Sequence, residues 1–533
     1  MHRKIITSLL FSALLAAGPA TQPAPLQISK QTTYITSPLY SDGTPDYVSA
    51  LNNIASQNVT PQNNAAITLL RLVVGMNDQG GDVKKSLAAL GLPESQTTEL
   101  AWEEAGNFFQ EHLPEDLAEQ KVTKDLLPGW SQNLPDKPAD LFENAETQYA
   151  MNHPWTSDKC LLLYAYLFKV GPSLDALQQA SELKQFYAPM TGGESFATVI
   201  ESMMAWQFDP DQVFSPLVWR ATLDLGQNDV AGCEQNLLAI HRYARLIAAQ
   251  PVNPITYMAA FQVESIAAGG DRVLLSDPSL TQKQAQDYLK TLQSLGPMPP
   301  VWPMVNVGIR YPILDVVSSY YRKISGIRSN DKMPDVLSDT SFTDLTKLSN
   351  GLDWNDVFRR TNQAFDVLTD YFHYADDSAQ GPQASAAYDK LEKQAEQFDL
   401  TNAKSADDKM FWGIMTGLNI LGKDDFVSIL RGLELYGEQV DELTQIGLAL
   451  AAYHAEHGNY PSSLTDLSPE YFSQTPMNVF DNKPLSYTRT SDGYKLVAQP
   501  QGIDTDMLQG ANVNLLTVQV PMPIQQWESD SLP

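Results

Sequence analysis

The chain has 533 residues, 63 acidic side chains against 35 basic ones, a formal net charge of −28 and 43% hydrophobic residues. That length accommodates roughly two to four domains, and the apolar fraction is enough for sizeable cores. The acidic field repels polyanions and no basic stripe reverses it locally, which excludes nucleic acid as a partner and offers nothing to an anionic lipid surface.

His2, Arg3 and Lys4 make a basic start, Ile5 to Ala17 is an apolar run broken only by Thr7 and Ser12, and Gly18 and Ala20 stand at the spacing of a cleavage site. This is the order of a secretory signal peptide, placed at residues 1–20. The run is shorter than the ~20 residues that span a bilayer. The expectation is export, with no transmembrane helix in the mature chain and a location outside the cytoplasm, in the periplasm or secreted.

Residues 21–44, rich in Thr, Gln, Pro and Ser, read as an extended lead-in. Residues 45–440 carry a helical signal sufficient for one or two domains. Asp46 to Gln57 and Asn63 to Val74 predict consecutive helices with Pro61 at their junction. Leu237, Leu238, His241, Ala244, Arg245 and Ala248 follow helical spacing up to Pro251. Thr281 and Gln284 predict a capping box, in which each side chain satisfies an orphan amide of the first turn. Ala285, Tyr288, Leu289, Leu292 and Leu295 form the apolar face of that helix, and Gly296 and Pro297 stop it. Pro297 to Pro303, with Met298, Val301 and Trp302 between the prolines, reads as a packed rigid connector. No fixed-period repeat supports a regular solenoid.

Near residue 440 the pattern changes. Leu443, Ile446, Gly447, Leu450 and Tyr453 predict one more amphipathic helix ending at Gly458, followed by Pro461 and a turn at Ser462 to Leu467. Leu485 to Thr490 and Tyr494 to Gln499, joined by Ser491-Asp492-Gly493, predict a hairpin, and Asn514 to Val520 a third strand. The fold class expected is mainly α. A multi-helix N-terminal region precedes a separate small α+β domain at 441–520, and residues 521–533 form a tail.

The stretch from Leu448 to Tyr453, with Gly458, Tyr460-Pro461, Leu464 and Leu467, resembles the globular part of the type II secretion major pseudopilin. Pro476, Phe480, Pro484, Leu485, Tyr487, Gly493, Tyr494 and Leu496 continue the resemblance, which covers a small fraction of the chain. That family has a helix followed by a hairpin. Here the matching segment lies at the C-terminal end, its helix lacks a membrane-length apolar extension, and Asn478-Val479 replaces the family's aspartate-proline, so filament assembly does not carry over. The family's calcium site would fall near Asp492, Asp504 and Asp506, a sparse donor set for an ion that needs a crowded shell of oxygens. Asp42 to Asn52, Val59 to Ala65, Leu237 to Leu246 and the 281–295 helix resemble a second group, large exported bacterial proteins of unassigned activity with the same tail. That resemblance implies export and architecture only.

No Walker-type glycine loop, dinucleotide fingerprint, nucleophile elbow or H-E-x-x-H is present. Cys160 and Cys233 are the only cysteines and lack redox or zinc spacing. They read equally as one structural disulfide, worth about 4 kcal/mol on the chain-entropy model, or as two buried thiols. His454 and His457 around Glu456 read as solvated helix-end residues rather than a metal pair. The same holds for Asp370, His373, Asp376 and Asp377. His241 with Arg242, Arg245, Glu234 and Glu264 reads as an ion-pair network between packed helices, with a carboxylate-binding or catalytic site as the competing reading. The dispersed aromatics read as core. No catalytic residue, metal or cofactor is assigned. The functional expectation is an interaction or structural protein of the bacterial cell envelope with envelope protein partners, and the alternative is a hydrolase or other enzyme working near His241.

Overall fold

Short polar side chains set where the chain turns helical. The Asp46 carboxylate accepts from Ser49 N at 2.9 Å, Asn253 Oδ1 accepts from Ile255 N at 3.0 Å ahead of Pro254, and Thr281 with Gln284 closes the expected capping box. Each satisfies amides that the first turn leaves without an intrahelical partner.

The computed structural model describes residues 25–76, 80–92, 100–113, 138–191, 208–328, 352–399, 403–422, 426–500 and 512–522. Its first helices are α1 Tyr47–Ala55, α2 Ala66–Met76, α3 Gly80–Ala89, α4 Ala105–His112, α5 Pro138–Asn152 and α6 Leu161–Ala180. The centre of the chain supplies α7 Pro210–Gly226, α8 Val230–Ala248, α9 Pro254–Ser276 and α10 Gln282–Leu295. A π-helical turn at Met304–Ile309 leads into α11 Arg310–Ile324, and then come α12 Trp354–His373, α13 Gly381–Glu396, α14 Ala406–Gly417 and α15 Phe426–His457. Three strands, β1 Ser486–Arg489, β2 Tyr494–Val497 and β3 Thr517–Val520, form one antiparallel sheet in the order β1-β2-β3. The protein is therefore mainly α with a small sheet near its C-terminal end. No helix among the described residues is long and apolar enough to cross a membrane.

Helix α9 is the hub. It packs against α7, α8 and α15, while α10 packs against α15 and α8. The connector at 297–303 packs as expected: Met298 and Val301 are buried, Tyr257 Oη donates to Pro299 O at 2.9 Å, and Val301 N donates to Glu434 Oε1 at 2.8 Å. The lead-in departs from an extended tether. From residue 25 it turns back on α11 and α12, because Asn355 Oδ1 accepts from Gln27 N at 2.8 Å and Asn362 donates to the Thr32 carbonyl, which buries Thr32 and Thr33.

The boundary expected at 440 falls inside α15, a single 32-residue helix. Its second half, the helix expected to end at Gly458, lies against α9 and α10. At Gly447 an added Cβ would sit 2.5 Å from Leu275 Cδ1, so the absence of a side chain lets α15 approach α9 closely. On the sheet, Tyr494 pairs with Val520 and Leu496 with Val518, and these four side chains are buried. They join the same continuous core as the helices around them. The C-terminal sheet thus shares the body's core, and the third predicted strand begins with a 3₁₀ turn at Val513–Leu516.

Candidate functional site: a buried charge network on the central helices

His241 and Arg245 are one turn apart on α8, and Glu264 and Asp271 are two turns apart on α9, so each pair shares a helix face. The two faces meet. His241 Nδ1 lies 2.9 Å from Glu264 Oε1, and Nε2 lies 2.9 Å from Asp271 Oδ2. Arg245 Nη1 donates to Glu264 Oε2 at 3.0 Å, Nη2 to Asp441 Oδ1 of α15 at 2.9 Å, and Nε to Gly296 O at 2.9 Å. Tyr288 Oη of α10 donates to Asp271 Oδ1 at 2.9 Å, and Gln445 Nε2 donates to Asp441 Oδ2 at 3.0 Å. An unbroken line of hydrogen bonds therefore runs Tyr288, Asp271, His241, Glu264, Arg245, Asp441, Gln445 across four helices. Arg272, next to Asp271 in sequence, carries its guanidinium the other way, donating to Thr444 Oγ1 at 2.9 Å and to Leu515 O at 3.2 Å.

His241, Glu264 and Asp271 are completely shielded from water. Burial alone disfavours a charged imidazole, but carboxylates at both nitrogens outweigh it and raise the His241 pKa from 6.5 to about 10. A carboxylate at each nitrogen favours the protonated ring. Burial pushes Glu264 up, yet the charges of His241 and Arg245 prevail and hold it at about 2. At Asp441 burial, reinforced by Glu264, prevails over Arg245 and His241 and lifts the carboxyl from 3.8 to about 6.

A general acid or base needs a nitrogen within reach of substrate. Both nitrogens of His241 are engaged, and a cavity of about 450 Å³ beside Arg245 is lined by Arg242, Arg245, Leu246, Leu295, Pro297 and Pro299. It reaches the network at Arg245 and does not include His241. The arrangement binds helices to one another, with both nitrogens of His241 turned to carboxylates.

Of the residues singled out from sequence, His241, Arg245 and Glu264 come together. Arg242 faces outward, its Nη1 3.7 Å from Glu182 Oε1. Glu234 lies outside the network: burial raises its pKa to about 7, and its Oε1 is buried without a hydrogen-bond partner. Sequence reasoning missed Asp271, Tyr288, Asp441 and Arg272. The seven-residue step from Glu264 to Asp271 on a largely apolar helix was the signal available for one of them. A second buried ionic group on α11 also went unnoticed, where Arg322 lies 3.8 Å from Asp315 and donates to Ser318 and Ser319 at 3.1 and 2.7 Å.

Of the two readings of the cysteines, the structure carries the thiols and not the disulfide. Cys160 and Cys233 are separate buried thiols. Cys160 precedes α6 and its Sγ donates to Glu146 O at 3.9 Å, whereas Cys233 sits on α8, so the two are held by different packing contacts. The ring of His454 stacks on Tyr460 and that of His457 on Tyr453, at 4.3 and 4.0 Å between centroids, which fits helix-end residues. His373 sits edge-on to Trp302 at 4.6 Å, and Asp377 accepts from Ala379 N and Gln380 N in a turn. Among the described residues no cluster of three or more His, Cys, Asp or Glu is placed to hold a metal ion. Residues 1–20, read from the sequence as a signal peptide, and the acids Asp504 and Asp506 lie outside the described residues. Set against family models, curated proteins and solved structures, the chain matches none.

Proposed function

We propose that this chain is an exported, non-enzymatic interaction or structural protein of the bacterial cell envelope. The observation that carries the reading is His241: the most chemically suggestive side chain of the sequence is shielded from water, with both nitrogens bonded to carboxylates. A site of that kind fixes helix arrangement, which suits a protein whose task is to present surfaces. The basic start and short apolar run at residues 2–17 support export. A helix followed by a three-stranded antiparallel sheet supports the likeness of the C-terminal segment to a pseudopilin head, a module associated with protein assembly.

The test combines cell fractionation with N-terminal mass spectrometry and in-cell cross-linking at native expression. The expected result is a chain lacking residues 1–20 in the envelope or periplasmic fraction, cross-linked to other envelope proteins. Cytosolic protein with an intact Met1 overturns the location. A catalytic turnover that His241→Gln abolishes, while the chain stays folded, overturns the non-enzymatic part.

A further inference from the structure

The cavity beside the charge network, about 450 Å³, falls within the range that holds small organic ligands, roughly 300–1,000 Å³. Three segments wall it: the turn after α6 through Leu183, α8 through Leu246, and the end of α10 with its connector through Leu295, Pro297 and Pro299. Leu183, Leu246, Leu295 and Pro299 are each half-buried, so the wall is largely apolar and still open to solvent. It is held from behind. Arg245 Nε donates to Gly296 O at 2.9 Å where α10 ends, and Tyr257 Oη fixes the connector by donating to Pro299 O at 2.9 Å. A wall fixed in this way costs an occupant little ordering.

Two guanidinium groups reach the cavity, and they differ in what they have left to offer. Arg245 is committed: Nη1 donates to Glu264 Oε2 and His241 O, Nη2 to Asp441 Oδ1 and Nε to Gly296 O. Arg242 stands nearer solvent, with 28% of its side chain exposed, and Glu182 Oε1 lies 3.7 Å from its Nη1. That separation is too long for a hydrogen bond, and Glu182 keeps 71% of its side chain in water. The planar fork of Arg242 therefore meets no hydrogen-bonded acceptor among the described residues, and it does so at the edge of an apolar wall.

One uncommitted guanidinium balances one negative charge, and its fork matches the two oxygens of a carboxylate. A dianion would leave its second charge facing Glu182, with Glu264 and Asp441 already holding Arg245 and no third cation among the lining residues. We infer that this cavity binds a small monocarboxylic acid with an apolar body, its carboxylate forked on Arg242 and its body against Leu183, Leu246 and Leu295. Glu182 swings into solvent as the acid enters. The inference goes beyond the envelope assignment and stands without it.

Isothermal titration of the full chain with hexanoate, phenylacetate and N-acetyl-leucine, each beside its neutral amide, tests it. At least one acid is expected to bind, and its amide to bind about tenfold more weakly for want of the charge-assisted pair. Binding confined to N-acetyl-leucine supports the inference and marks the ligand as an acylated amino acid; binding confined to the other two supports it and marks a plain acid. Arg242→Gln is expected to abolish the preference for acid over amide. Glu182→Gln removes the competing carboxylate and is expected to tighten the acid by about threefold, a change that a merely structural pair would not produce. Both side chains reach solvent, circular dichroism confirms that each variant is folded, and Arg242→Met serves in place of a variant that is not. The inference is overturned if no acid binds, if acid and amide bind alike, or if Arg242→Gln keeps the preference. Inorganic phosphate displacing the acid at equal concentration overturns it as well.

Discussion

His241 Nε2 and Asp271 Oδ2 sit 2.9 Å apart with both side chains fully shielded from water, and the opposite nitrogen of the same ring meets Glu264 at the same distance. Removing the ring strands two buried carboxylates, which is costlier than the pairing was favourable, since an uncompensated buried charge loses its solvation and gains nothing in return. His241→Leu should therefore destabilise the fold by about 3–5 kcal/mol in urea titration. A loss below about 1 kcal/mol would mean that the carboxylates are not ionised around a charged ring.

The charged ring sets the sign of a pH dependence. His241 has a folded pKa of about 10 against 6.5 unfolded, so its contribution is fully present below 6.5 and is lost as pH rises through 10. Glu264, held at about 2 against 4.5, contributes above 4.5 and loses that contribution as pH falls through 2. The wild-type urea midpoint should fall between pH 6.5 and 10, and the midpoint of His241→Leu should fall much less over that window. Equal slopes for the two proteins would refute the imidazolium.

Arg245 and Asp441 tie α8 to α15 through a 2.9 Å ion pair, one of the polar links between the C-terminal segment and the body. Arg245→Met strands Glu264 and Asp441 together, so it should cost more than Asp441→Leu, which releases only one of the guanidinium's acceptors. In a double-mutant cycle the pair should show a coupling energy of about 1–3 kcal/mol. Strict additivity would place the attachment of α15 in its apolar contacts alone.

How far the sequence disclosed this network follows from the range of its interactions. Local signals were readable: the Thr281–Gln284 capping box, the Gly296 stop and the hairpin around Ser491 to Gly493 all depend on residues a few positions apart. His241 and Arg245 were visible as polar residues on an apolar helix. Their partner Asp441 is 196 residues beyond Arg245, and no helical period connects them. That residue 440 lies inside one helix has a related reason. The change of composition near 440 is real, but α15 runs through it, and the face that continues is buried against α9 and α10, whose sequences lie far upstream.

The cysteines give a chemical check on packing. Burial pushes the Cys160 thiol up to about 12 and Cys233 well above its ordinary range. Thiolate is the reactive form, so a buried thiol with a raised pKa is inert. Native protein should resist a thiol reagent at neutral pH, and the chain unfolded without reductant should label at both positions. Unfolded, unreduced chain that takes up no label would mean a disulfide in place of the two thiols.

Gly226 closes α7 where Trp155 crosses it. Trp155 Nε1 donates to Trp219 O at 3.0 Å and to Thr222 Oγ1 at 3.1 Å, and Trp155 N donates to Thr222 O at 3.2 Å, so the indole and its backbone are fixed against the helix end. A Cβ at Gly226 would lie 1.8 Å from Trp155 O, a backbone atom that cannot rotate out of the way. Gly226→Ala must therefore move one segment relative to the other and stretch those three bonds, although alanine is the better helix former by about 1 kcal/mol. The expected net effect is a loss of about 1–3 kcal/mol, accompanied by a shift in the fluorescence of the buried tryptophan. Gly171→Ala supplies the comparison: the same change within a helix, at a position where the new methyl meets nothing within 4 Å, should leave stability unchanged or raise it. If both variants are equally stable, the contact between Trp155 and the end of α7 is looser than its hydrogen bonds indicate.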